Sequence, residues 1–233
     1  MYFSRISLKE DAQGSSDFWR VFRSPYTLHQ SIWQMFSDYA DRKRDFLYRL
    51  DQNGKRPLIY TVSVREPDKS MELWHIESKP YEPKIRAGIQ LAFMLRANPI
   101  CTKRDEQGKQ HRHDVVMEAK THLREQNGCK PYVPHRCGDE PPLATLVQEE
   151  GNKWLLARTE EKGFTVNSDH IRADGYQQHR FFKGKGNKPI NFSTLEFNGI
   201  LTVVSPESFV KTLYEGIGPA KSFGCGLMMV KKV

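Results

Sequence analysis

The run Leu195-Glu196-Phe197-Asn198-Gly199-Ile200-Leu201-Thr202-Val203-Val204 leads through Ser205-Pro206 and an apolar pattern at Phe209, Leu213 and Ile217 into Gly216-Ile217-Gly218-Pro219-Ala220-Lys221-Ser222-Phe223-Gly224-Cys225-Gly226, and ends on Leu227 to Val230. The order of these pieces decides the fold. Leu195 to Val204 is the strongest strand pattern in the chain, and Ser205 with Pro206 supplies an N-cap and a first helical residue whose missing N–H costs nothing. A strand, a helix and a second strand in that order make half of a split β-α-β arrangement, the ferredoxin-like plan. The loop between helix and last strand holds four glycines, one lysine and one serine, so its backbone must turn sharply or approach something closely.

Lys221 and Ser222 raise the question of phosphate, and two familiar nucleotide loops are excluded by spacing. A P-loop would place glycines at 215 and 220, where Glu215 and Ala220 stand, and a dinucleotide fingerprint beginning at Gly216 would need glycine at 221. Two readings remain open. One is a helix C-cap followed by a bulged strand start; the other is a loop that aims backbone N–H groups and one cation at an anion.

Outward from this stretch, the rest of the chain repeats the plan. Residues 2 to 8 alternate as a strand, and Ser24-Pro25 opens a helix whose buried face is Leu28, Ile32, Met35, Phe36 and Tyr39. Strand patterns follow at Leu58 to Val64 and Met71 to Ile76, so the first stretch reads strand, helix, strand, strand. Pro80 and Pro83 interrupt it. A strand then runs from Ile89 to Leu95, helices are predicted at Val116 to Asn127 and around Trp154 and Leu155 as far as Gly163, and residues 129 to 141 read as a long loop. Short strand segments after Gly163 lead to His179-Arg180-Phe181-Phe182-Lys183-Gly184-Lys185-Gly186-Asn187-Lys188, which reads as a basic hairpin tip. The expected fold is α+β, with two tandem ferredoxin-like (RRM-like) βαββαβ domains at 1–80 and 88–233 and a linker at 81–87.

Of the 233 residues, 36 are Lys or Arg and 28 are Asp or Glu, a formal charge of +8 that suits a phosphate-rich partner. No apolar run is long enough to span a bilayer and the N-terminus lacks a leader pattern, so a soluble, cytoplasmic protein with no membrane partner is expected. The four cysteines, Cys101, Cys129, Cys137 and Cys225, have no C-x-x-C spacing. Cys129, His135 and Cys137, and separately His111 and His113, fall in polar stretches read as loops. No metal and no small-molecule cofactor is expected.

Tyr26 and His29 stand three apart at the start of the first long helix, on one surface. A helix N-terminus attracts a phosphodiester, and an imidazole beside one can exchange a proton near neutral pH. RNA carries its own nucleophile, the 2′-hydroxyl, so proton transfer and charge stabilisation suffice to cleave it. The residues alone leave His29 open between that role and an idle surface histidine. Arg180, Lys183, Lys185 and Lys188 are likewise either phosphate contacts or a solvated loop. No strand has the aromatic signature of an RNA-recognition motif, which argues against base stacking on an open sheet.

Three segments together resemble the CRISPR-associated endoribonucleases that cut repeat RNA into guide RNAs. These are the loop Gly216 to Gly226, Ser24-Pro25-Tyr26-Thr27-Leu28-His29-Gln30, and Arg96-Ala97-Asn98-Pro99. The last two narrow the resemblance to the type I-E subtype, often called CasE. It implies tandem ferredoxin-like domains that bind the stem-loop of a repeat transcript, cut at the 3′ base of the stem without metal through the 2′-hydroxyl, and leave a cyclic phosphate. It further implies that precursor and mature guide RNA and the other Cascade subunits are partners. The catalytic histidine and its helper tyrosine would be His29 and Tyr26. Arg180, Lys183, Lys185 and Lys188 would hold the hairpin, and Gly216, Gly218, Gly224 and Gly226 with Lys221 and Ser222 would shape the RNA surface. Residues 129–150 are longer than the family pattern. Two other readings stand beside this one: a non-catalytic RNA-binding subunit, and a nucleotide-dependent enzyme, weakened by the loop spacing.

Overall fold

The computed structural model describes residues 1–12, 14–37, 42–51, 57–128, 140–182 and 188–233. Strand β1 (Tyr2–Leu8) is followed by helices α1 (Ser16–Phe22) and α2 (Pro25–Gln34), then by strands β2 (Phe46–Asp51), β3 (Leu58–Ser63) and β4 (Trp74–Pro80). The α2 start is built as its sequence predicts. The Ser24 hydroxyl accepts from the Thr27 N–H at 3.1 Å, and the Ser24 N–H donates to the Thr27 hydroxyl at 3.0 Å, with Pro25 inside the first turn. Leu28, Ile32, Met35 and Phe36 are buried with Ile6, Ile59 and Trp74 in one core.

The sheet order is β2-β3-β1-β4, every neighbour antiparallel. This is the ferredoxin-like order, with residues 64–73 turning between β3 and β4 where a second helix would stand. Two elements were not expected, α1 and β2. The strand read at Met71 to Ile76 begins only at Trp74, because Met71 to Leu73 turn into it.

The second half runs β5 (Gln90–Ala97), β6 (Ile100–Arg104), β7 (Gln110–Asp114), α3 (Val115–Gln126), α4 (Leu143–Thr159), β8 (Phe164–Phe181), β9 (Ile190–Val203), α5 (Pro206–Glu215) and β10 (Met228–Lys232). Its sheet order, β10-β5-β9-β8, repeats the same plan, here with both crossovers helical. Leu95, Leu155, Phe197, Phe209 and Leu213 are fully buried beneath it. The short segments expected after Gly163 are one strand of 18 residues, interrupted by register shifts at Val166/Ile171 and Asp174/Gln177. His111 and His113 lie in the two-stranded ribbon β6–β7, not in a loop, and pair with Asp105 and Glu118 at 2.7 and 3.1 Å. Cys129, His135 and Cys137 fall outside the described residues, as do Tyr39, Lys183 and Lys185. Among the described residues no group of three metal-ligating side chains comes together.

The two sheets meet along a seam that positions everything below. Leu47 and Val62 of the first sheet pack on Leu227, flanked by Phe3, Tyr60, Tyr81, Tyr214 and Met229. Beside this apolar patch lies an ionic one. The Arg49 guanidinium, with only 4 % of its side chain exposed, binds Asp51 at 2.7 Å and reaches across to Glu196 of β9 at 3.0 Å. Arg96 of β5 also binds Glu196, and donates to the Leu50 carbonyl of β2 at 2.8 Å.

Candidate active site

Across this seam the loop after α5 comes to rest on α2 and β2. Gly216 ends α5 at φ 76°, in the left-handed region, and its N–H returns to the Thr212 carbonyl at 2.8 Å. A Cβ at this position would lie 2.7 Å from the Gly226 carbonyl oxygen and 2.9 Å from the Leu47 side chain, so only glycine lets the loop press against β2. At Gly224 the corresponding Cβ would meet the Tyr48 ring at 3.3 Å. The Ile217 N–H donates to the Gly226 carbonyl at 2.9 Å and the Gly226 N–H to the Arg96 carbonyl at 2.7 Å. The amides of Gly216, Ile217 and Gly226 are therefore committed to shaping the loop, as the C-cap reading expects. Gly218 packs beside the Trp154 ring.

Between the glycine pairs, Lys221 to Phe223 form one 3₁₀ turn entered through Ala220 in the left-handed region. Ser222 is gripped from the other half of the molecule. Its carbonyl accepts the Tyr48 hydroxyl at 3.0 Å and its hydroxyl accepts from Arg44 at 3.0 Å. Burial drives the Tyr48 phenol far above the ordinary tyrosine range, so it acts as a neutral strut and not as an acid. Burial, and after it the nearby charge of Arg44, holds the Lys221 ammonium below the ordinary lysine range. Burial likewise lowers Arg44. Two partly desolvated cations, Lys221 from the loop and Arg44 from the segment before β2, thus lie close together.

His29 lies in the second turn of α2, half-buried, with Tyr26 one turn before it. Four aromatic rings surround the imidazole: Trp33 from the next turn at 5.8 Å between centroids, Phe46 and Tyr48 from β2 at 6.2 and 6.3 Å, and Phe223 from the glycine loop at 6.5 Å. The Tyr26 hydroxyl accepts from the Gln30 side chain at 3.3 Å. The two ends of the chain that carry the sequence signals, His29 and Gly216 to Gly226, are therefore in contact.

Arg180 is exposed near the end of β8 and Lys188 is exposed before β9. Arg180 shares a groove with Pro219, Ala220 and Phe223 of the glycine loop. Sequence reasoning missed Arg44, Tyr48, Phe192 and His179. His179 stacks on Phe192 at 4.8 Å, and its ring nitrogen meets the Thr194 hydroxyl at 2.9 Å. Burial, then the charge of Arg96, lowers the His179 pKa from its ordinary value of 6.5.

Tandem ferredoxin-like sheets thus bring an imidazole and two cations together beside a glycine-rich loop, and the chain can be placed by its family. The family model described as CRISPR associated protein matches residues 1–232, and the chain belongs to that family. Among its relatives, the CRISPR system Cascade subunit CasE of Escherichia coli (strain K12) is 29 % identical over 208 residues, covering 88 % of this chain and 91 % of that one. The CRISPR-associated endoribonuclease Cse3 of Thermus thermophilus is 26 % identical over 226 residues, covering 91 % and 92 %. The solved structure of a CRISPR endoribonuclease Cse3 bound to 19-nucleotide RNA matches with a TM-score of 0.70 and 24 % identity, over 99 % of this chain and all of that one. The crystal structure of Cas6e from Escherichia coli K-12 matches with a TM-score of 0.58 and 23 % identity over the full length of both. These structures share the tandem fold.

Proposed function

We propose that this protein is an endoribonuclease that binds the stem-loop of CRISPR repeat transcripts and cuts at the 3′ base of the stem. The observation that carries this reading is the meeting of His29 with the glycine loop and its two desolvated cations, Lys221 and Arg44, in a chain related to CasE and Cse3. The RNA 2′-hydroxyl gives up its proton to solvent water, its oxygen attacks phosphorus, the bond from phosphorus to the 5′-oxygen breaks, and a 2′,3′-cyclic phosphate forms. His29 gives a proton to the departing 5′-oxygen, Tyr26 holds the phosphate or the imidazole in place, and the cations balance charge on the phosphorane. This chemistry needs no metal, since the substrate supplies the nucleophile. Arg180, Lys188 and the glycine loop bind the hairpin, with Lys183 and Lys185 assigned to it from sequence alone. Residues 1–80 and 88–233 act as two domains joined at 81–87.

Likeness to a Cascade subunit supports a further role, in which the product hairpin stays bound and the protein joins other Cascade subunits. Among the described residues no helix is long and apolar enough to cross a membrane, and a transcript as substrate argues for the cytoplasm. The test is cleavage of its repeat hairpin in the presence of a chelator. His29→Ala is expected to slow cutting by roughly 10²- to 10⁴-fold, the usual worth of a proton-transfer group, with hairpin affinity nearly unchanged. A wild-type rate in that variant would refute the assignment. A 2′-deoxy sugar at the cut site is expected to bind and remain intact. Failure to cut the all-ribose hairpin as well would leave a non-catalytic RNA-binding subunit.

A further inference from the structure

Beside the His29 site lies a groove of about 660 Å³ whose lining includes His179, Phe192 and Phe223 together with Arg112 and Arg180. Phe192 of β9 and Phe223 of the glycine loop stack at 5.2 Å, their planes 22° apart, and Phe181 of β8 meets both edge-on at 6.0 and 5.1 Å. No single strand carries these rings, which is why no sequence signature announced them. Phe192, Phe223 and His179 all line the groove and are only half-buried.

Arg112 of β7 and Arg180 of β8 both line it, both exposed and, among the described residues, neither ion-paired. The ribbon register pairs Thr102 with Arg112 and Arg104 with Gln110, so Arg104 and Arg112 project from one face of β6–β7. The other face is turned to α3, where Lys103 and His113 both pair with Glu118. One carboxylate also lines the groove, Asp114, but its charge is committed. It accepts the Val116 and Met117 N–H groups at 2.9 and 3.0 Å and the Tyr176 hydroxyl at 2.8 Å.

Stacked rings between guanidinium groups are what unpaired nucleotides require, since each exposed base offers a face and each linkage a charge. A duplex buries those faces within its own stack. The groove is continuous with the candidate active site through Phe223, which touches both the His29 ring and Phe192.

We propose that this groove binds the single-stranded RNA that continues from the cut site, with bases packed against the half-exposed stack of His179, Phe192 and Phe223, phosphates on Arg104 and Arg112, and Arg180 at the junction with the hairpin. The inference rests on the ribonuclease reading above and adds to it a second recognition element, specific for an unpaired flank.

The experiment compares three RNAs, each with a 2′-deoxy sugar at the cut site: a nearly blunt repeat hairpin that ends one nucleotide beyond the cut, and the same hairpin with a short oligouridine flank added on its 3′ or its 5′ side. Dissociation constants are measured by fluorescence anisotropy on the full chain. One flank is expected to tighten binding roughly tenfold or more, the worth of one or two stacked bases, and the side that gains gives the strand direction. In Arg104→Ala/Arg112→Ala, two exposed positions, the ratio of blunt to flanked affinity should fall toward one, and Phe192→Leu should lower it independently. Equal affinity for all three RNAs, or an unchanged ratio in the arginine variant, overturns the groove. Cleavage of the all-ribose hairpin, run in parallel, tells the two readings apart. A protein that cuts but gains nothing from a flank loses only the groove, and one that gains from a flank but never cuts loses only the ribonuclease assignment.

Discussion

Replacing Glu196 by Gln removes a carboxylate that ties the two sheets together through charge. Arg49 keeps Asp51 at 2.7 Å, but its other contact, at 3.0 Å, becomes a hydrogen bond to a neutral amide, and Arg96 loses its counter-charge. Depriving a fully buried ion of its partner costs about 3–5 kcal/mol. Glu196 is 21 % exposed and Arg96 26 %, so solvent recovers part of that cost, and about 2 kcal/mol is expected. With a urea m-value of about 3 kcal/mol/M for a protein of this size, the midpoint should fall by roughly 0.7 M. Trp74 and Trp154 are buried one in each core, so tryptophan fluorescence reports on both halves while circular dichroism reports on the backbone. Arg5 and Glu77 provide the control. They pair at 3.2 Å with more than half of each side chain exposed, so Glu77→Gln should cost less than about 0.5 kcal/mol. If Glu196→Gln costs no more than Glu77→Gln, the ionic patch does not hold the seam and the reasoning fails.

Two further outcomes follow from the loop and its neighbours. Gly216→Ala should destabilise by about 2–4 kcal/mol, combining left-handed strain with overpacking. Gly108→Ala, at φ 77° with nothing within 4 Å, should show the strain alone, and equal losses in urea titrations would refute the packing argument. His179, whose folded pKa is lowered from 6.5, binds its proton more readily in the unfolded chain. Stability should therefore be full above about pH 6.5 and decline as pH falls through the lowered folded value. His179→Gln should flatten that decline in midpoints measured at several pH values, and an unaltered slope would assign it to other groups.

The elements read directly from sequence are those with one buried face. In α2, apolar residues recur at helical spacing and a capping pair opens the helix, and in β5 buried and open positions alternate. Strand β2 escaped because Phe46 to Arg49 are all buried, covered on one side by α2 and on the other by the second half, which erases the alternation. The β6–β7 ribbon escaped for the opposite reason, with most of its residues exposed on both sides. The loop after α5 was legible as a place where glycine is required, but not as to why. What it presses against is Leu47 and Tyr48, and no local pattern can name a contact partner that far along the chain. For the same reason His29 was found while the rings around it were not.

The Tyr48 to Ser222 hydrogen bond, which spans 174 residues, also sets a clock. Domains fold in order as they leave the ribosome, at about 5–20 residues per second, so the first sheet waits roughly 10–35 s for the turn that completes its histidine site. During that interval a nascent chain carries His29 and Arg44 without Lys221 and Phe223 of the late loop. The surroundings of His29 are thus completed late in synthesis, after every strand of the first sheet has been made.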